Sequence, residues 1–192
     1  DHYVTARDMA KISKAALENE TFRYVACKPN YYIAPTNKDK HGKELWNHHK
    51  MVKRTMFNYD GVEGGKTGYT TKAGGTLVTF AKRGDQELIV VDLCAHGYEL
   101  YEDTIKMLNY GFNNYKTIAP FKTMNTVLKD DTYGFLKTGN ELSPYKIPLK
   151  HLNDVTVMLE KNQSASKLTY KCKDNKYIIS YDGKQIGSVK LH

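Results

Sequence analysis

Lys66-Thr67-Gly68 places a cation, a hydroxyl and a residue without a side chain in direct succession. On an extended edge strand that combination holds a peptide carboxylate: lysine supplies charge and threonine a directed hydrogen bond, while glycine lets a ligand backbone come close. A second copy, Lys137-Thr138-Gly139, exists, so context must separate the two. The first follows Tyr59-Asp60-Gly61-Val62-Glu63-Gly64-Gly65 and precedes a turn and a strand. The second runs into Asn140-Glu141-Leu142-Ser143-Pro144, which is turn chemistry, and reads as a chance match.

Other residues with chemical potential read as structure. Gly64-Gly65-Lys66-Thr67 has the look of a phosphate-binding loop, but Asp60 stands where that loop needs glycine, and Gly68, Gly74 and Gly75 interrupt any following helix. Arg83-Gly84-Asp85 matches an adhesion tripeptide, and a hairpin turn between two apolar runs accounts for it. His41, His48 and His49 lie in a lysine-rich stretch without carboxylates at useful spacing, which points to a surface loop and to no metal. The three cysteines, Cys27, Cys94 and Cys172, form no CxxC pair. Cys94 ends the apolar run from Leu88 and is expected as a small buried hydrophobe.

The elements that must position Lys66 follow from periodicity. Thr5 and Asp8 form a capping box before Met9, Ile12 and Ala16, which predicts a helix from about Thr5 to Glu18. Residues 28 to 58, with Pro29, Pro35, Asn37 and Gly42, read as loop with strand pieces near Tyr31 and Ile33. Three strands then follow with tight connections. They span Gly64 to Thr70, Thr76 to Ala81 and residues 87 to 94, an antiparallel meander. Tyr101, Ile105, Leu108 and Phe112 form one stripe of a second long helix.

Composition changes near Ala119-Pro120, and a domain boundary is expected at about residue 118. From there short strand-like runs recur at 126–128, 155–159, 168–171, 177–181 and 186–191, with Asp182-Gly183 as a hairpin turn. The expected fold class is α+β. Residues 1–118 supply an antiparallel sheet with packed helices, and residues 119–192 form a small all-β domain.

At 40% hydrophobic and 26% charged residues, the composition is globular rather than disordered. No apolar run is long enough to span a membrane as a helix. The net charge of +8 suits anionic surroundings. The basic residues are scattered, however, and the densest cluster, Lys50, Lys53 and Arg54, holds only three charges. No nucleic-acid motif accompanies them. The chain runs from Asp1-His2-Tyr3-Val4 straight into the helical pattern without a leader, which leaves the compartment open.

The string Asp60 to Gly74, with Lys66-Thr67-Gly68 at its centre, resembles the Lys-Thr-Gly block of D-alanyl-D-alanine carboxypeptidases, low-molecular-mass penicillin-binding proteins. His2-Tyr3-Val4-Thr5-Ala6-Arg7-Asp8-Met9-Ala10 is similar to a helix that precedes that block in the family. Thr36-Asn37, Asn47-His48-His49-Lys50 and Asn109-Tyr110-Gly111-Phe112 resemble further signals in the same order. The resemblance implies a penicillin-binding transpeptidase fold and serine acyl transfer on peptidoglycan stem peptides ending in D-Ala-D-Ala, outside the cytoplasmic membrane. It also implies β-lactams as ligands and no cofactor. By position, Lys66 would lend charge, Thr67 would bond the substrate carboxylate, Gly68 would keep the cleft open, and the Tyr69 N–H would be an oxyanion donor.

One departure is large. The family's Ser-x-x-Lys and Ser-x-Asn motifs are expected before residue 1. No Ser-x-Asn triplet occurs in the chain, and Ser143-Pro144-Tyr145-Lys146 and Ser164-Ala165-Ser166-Lys167 fall in the predicted β module. The nucleophile needs to open a buried helix, which neither string provides. The chain alone is therefore expected to be inactive. It would act as a wall-peptide-binding or structural module, or pair with an N-terminal segment or a second copy of itself.

Overall fold

The computed structural model describes residues 3–53, 56–123, 126–128, 133–138, 141–142, 147–148, 155–174 and 176–190. Arg54, Gly139 and Ser143 to Lys146 lie outside them. The class is α+β, and the chain divides into two compact units, Asp1–Phe112 and Asn113–His192.

In the first unit, helix α1 (Ala6–Leu17) begins where the capping box places it: Thr5 Oγ1 accepts from the Asp8 N–H at 3.1 Å. Ser13 and Leu17 form its buried face, and Ile12 is exposed, so the apolar stripe read from sequence is rotated from the packed one. A second helix, α2 (Glu20–Ala26), starts on Asn19, whose side chain accepts from the Phe22 N–H. Strands β1 (Asn30–Ile33) and β2 (Lys43–Trp46) pair antiparallel inside the stretch expected to be mostly loop.

The meander is β3 (Val62–Thr70), β4 (Gly74–Arg83) and β5 (Gln86–Ala95), antiparallel in the order β3-β4-β5. Alternation along β4 covers both faces of this sheet. Val78 and Phe80 face α1 with Leu17, Ile89 and Val91. Leu77 and Ala81 face the other way, with Met51, Phe57, Val90 and the stripe Tyr101, Leu108 and Phe112 of α3 (Glu99–Asn114). Leu108 is wholly shut from solvent, burial that stabilises by about 2 kcal/mol.

Cys94 corrects an expectation. It is exposed, with φ at 63°. Gly75 pairs with Ala95 and Thr76 with Leu93, so Cys94 is the extra residue of a bulge, turned out of the ladder although its neighbours are apolar.

In the second unit, β6 (Tyr115–Ile118) pairs antiparallel with β11 (Val157–Glu160). Strands β7 (Thr126–Leu128), β8 (Tyr133–Thr138), β9 (Glu141–Leu142) and β10 (Ile147–Pro148) form a sheet around β8. A second meander joins β12 (Leu168–Lys173), β13 (Lys176–Tyr181) and β14 (Lys184–Lys190). Asp182 and Gly183, at φ 50° and 77°, make the turn that their sequence predicts. Phe121, Val157, Leu159, Leu168, Tyr177 and Ile179 are the core of this unit.

Candidate functional site

Among the described residues β3 pairs with β4 alone, so Lys66, Thr67, Gly68 and Tyr69 occupy an open sheet edge. Across the ladder Lys66 stands opposite Val78, Thr67 opposite Leu77 and Gly68 opposite Thr76. Lys66, Gly68 and Tyr69 are exposed and Thr67 is half-buried. The Lys66 ammonium folds back 2.5 Å from the Thr67 carbonyl oxygen. The strand continues unbroken through Thr70, so no helix N-terminus faces Lys66-Thr67 as phosphate binding needs.

Thr67, Gly68 and Tyr69 line an open depression of about 390 Å³ with Lys50, His96 and Tyr98. The Lys50 ammonium sits 4.0 Å from the centre of the Tyr98 ring. Lys50 thus places a positive charge in the same depression as Thr67, which Lys66 does not line. The sequence marked Lys50 only as a member of the basic cluster with Lys53 and Arg54 and as the end of the Asn47-His48-His49-Lys50 string, and gave it no site role.

The strand is held from beneath. Arg23 of α2 forms ion pairs with Glu63 at 2.9 Å and with Glu87 at 2.8 Å, tying the start of β3 to β5. The next residue, Gly64, lies under the end of α2: a Cβ there would meet Cys27 Sγ at 2.7 Å and the Ala26 carbonyl oxygen at 2.9 Å. Gly65 lies on His49, where a Cβ would come within 2.6 Å of Cδ2 and 2.8 Å of Nε2. Both glycines serve close backbone approach.

His49 corrects the surface-loop expectation. It is fully buried, Nε2 is 2.9 Å from Thr79 Oγ1, and Nδ1 is buried without a partner. Burial brings its pKa down to about 4, against a smaller upward pull from a hydrogen bond to the Val78 backbone. Asn47 fixes the segment, donating to the Ala26 and Lys28 carbonyls and accepting from the His49 N–H at 2.9 Å. His41 remains exposed, and among the described residues no cluster of three metal-ligating side chains occurs.

Ser164 does not open a helix. It caps the three-residue 3-10 turn Ala165–Lys167, its hydroxyl lies 2.8 Å from that of Ser166, and Lys167 is 3.8 Å from Asp182.

The family model of D-alanyl-D-alanine carboxypeptidases matches residues 1–97, which include the whole of β3. The chain belongs to that family. D-alanyl-D-alanine carboxypeptidase DacF of Bacillus subtilis is 29% identical over 196 residues, covering 99% of this chain and 46% of the relative. The chain thus spans about half the length of that relative. A point mutant of the Streptomyces K15 DD-transpeptidase is 30% identical, covers 58% of this chain and 44% of its own, and superposes with a TM-score of 0.53. Penicillin binding protein 5 from Haemophilus influenzae shares the fold over 99% of this chain and 55% of its own, with a TM-score of 0.63 at 23% identity.

Proposed function

We propose that this chain supplies the substrate-binding strand of a serine-type D-alanyl-D-alanine carboxypeptidase that trims peptidoglycan stem peptides on the outer side of the cytoplasmic membrane. The observation that carries the reading is Lys66-Thr67-Gly68 on the open edge of β3, beside a depression lined by Thr67 and Lys50. In this account Lys66 attracts the terminal carboxylate of the substrate and Thr67 hydrogen-bonds it. Gly68 leaves room for the peptide backbone, and the Tyr69 N–H is one donor to the oxyanion. A serine oxygen attacks the penultimate D-Ala carbonyl. The tetrahedral adduct collapses to an ester as the terminal D-Ala leaves with a proton on its amine, and water then hydrolyses the ester.

In this account a segment bearing the family's serine motifs supplies the nucleophile and its lysine, and these 192 residues by themselves bind without turnover. β-Lactams engage the same strand and acylate that serine. A second reading, in which the chain pairs with such a segment or with a second copy of itself, draws on two features. Among the described residues β3 and β5 each pair with one strand only, and Tyr24, Val25, Tyr31 and Trp46 are exposed apolar surface.

The test is intact-mass measurement after incubation with a penicillin, on the chain alone and mixed with a segment bearing the family's serine motifs. The account predicts no adduct on the chain alone and an adduct on the added segment in the mixture. An adduct on this chain, at Ser164 or Ser143, would overturn the assignment of the nucleophile.

A further inference from the structure

Lys66 is exposed on its side chain and its outer strand edge. Among the described residues its ammonium contacts only the Thr67 carbonyl oxygen of its own strand, so the strand itself sets where its charge and the Thr67 hydroxyl stand. What lies behind it is specific. His49 lies against Gly65, the residue before Lys66 in sequence, and its Nε2 meets the hydroxyl of Thr79, the residue opposite Gly65 in the ladder. One imidazole thus meets both strands at the rung directly before Lys66.

Its own position is fixed in turn. Thr79 Oγ1 meets Nε2 at 2.9 Å, the Tyr101 ring lies edge-on at 5.8 Å between centroids, and Asn47 anchors the His49 backbone. Asn47 also holds the end of α2, where Ala26 and Cys27 pack on Gly64. Two consecutive glycines are therefore seated on two elements that one asparagine ties together, and the strand leaves that seat at Lys66. A side chain at either glycine would lift the strand away.

Resting on the reading of β3 as the carboxylate-binding strand, we propose that His49, held by Thr79 beneath Gly65, is a positioning residue that sets Lys66 and Thr67 for carboxylate recognition. Its role goes beyond filling the core, because its polar contact lies at the Gly65–Thr79 rung, directly beside the rung that bears Lys66. An apolar residue of similar size fills the same space and leaves the buried Thr79 hydroxyl without its partner.

The experiment is amide-resolved NMR on the full chain, with titration of an N-acetylated peptide ending in D-Ala-D-Ala, each protein held well below its unfolding midpoint. The variants are His49→Leu, Thr79→Val, His49→Gln, which keeps a donor of similar reach, and Leu108→Ala, a core substitution on α3 that removes no polar group. The proposal expects His49→Leu and Thr79→Val to shift the Lys66–Gly68 amides and weaken the peptide about tenfold. His49→Gln recovers most of the affinity. Leu108→Ala lowers the unfolding midpoint with affinity and those amides unchanged. Unmoved Lys66–Gly68 amides in folded His49→Leu, or equal weakening by Leu108→Ala, overturns it. If the parent chain fails to bind the peptide, the substrate reading fails, and the amide shifts alone decide the positioning role.

Discussion

His49 Nε2 lies 2.9 Å from Thr79 Oγ1, with both residues shut from solvent directly behind the strand that carries Lys66. The pair couples protonation to the fold. With the pKa held at about 4 against an ordinary 6.5, neutral His49 contributes stability that is fully present above pH 6.5 and is lost as pH falls through about 4. The gap is worth roughly 3 kcal/mol. Urea unfolding of the parent and of His49→Gln across this range checks it: the parent loses more stability on acidification than the variant. Parallel curves for the two proteins would contradict the coupling.

Gly65 gives a sharper steric test. In Gly65→Ala the new methyl presses on the Val78 carbonyl oxygen and on His49, and a cost of about 2–3 kcal/mol is expected. Gly84, at φ 57° in the β4–β5 turn, has open space around it, and Gly84→Asn stays within about 1 kcal/mol of the parent. Thermal unfolding of the two variants should separate them clearly. Equal midpoints would mean that β3 can move off His49 at little cost.

Asp92 tests the opposite sign. Its Oδ2 is buried without a hydrogen-bond partner, and its pKa is raised first by burial and then by the charge of Asp103. A carboxyl of that kind stabilises the fold at low pH, and the contribution is lost as pH rises through its folded value. Asp92→Asn keeps the shape and removes the charge, so its unfolding midpoint at neutral pH should exceed the parent's. A lower midpoint would show that the charge is compensated.

The β3–β5 meander and the α3 stripe were legible because alternation, turn residues and helical spacing all act locally. The same holds for the Thr5 cap and the Asp182-Gly183 turn. The strand placement of Lys66-Thr67-Gly68 was legible for a different reason, as a string with matching context on both sides. His49 was not, because its burial depends on Gly65, sixteen residues away, and its neighbours His48 and Lys50 are polar. Cys94 misled because hydrophobicity along a strand does not reveal a bulge. The seven-residue α2 carried only the signature of Asn19 followed by Glu20, too short for a periodic stripe.

Thr67 and Lys66 should contribute differently to ligand binding. Thr67→Val removes a directed hydrogen bond and is expected to weaken a D-Ala-D-Ala peptide about tenfold at any salt concentration. Lys66→Gln removes a screened charge from an exposed site, so its effect should shrink as ionic strength rises. Calorimetric or NMR titration at low and high salt distinguishes the two. Identical salt dependence for both variants would argue against this division of roles.

The most direct test of the central claim maps where a stem-peptide mimic touches the chain. An N-acetylated peptide ending in D-Ala-D-Ala with a free carboxylate is titrated against its C-terminal amide, followed by amide shifts. The account predicts perturbations centred on Lys66, Thr67, Gly68 and Tyr69 for the free carboxylate, and their loss with the amide and in Thr67→Val. Perturbations centred instead on the apolar groove of Tyr24, Tyr31 and Trp46, or equal responses to acid and amide, would contradict it.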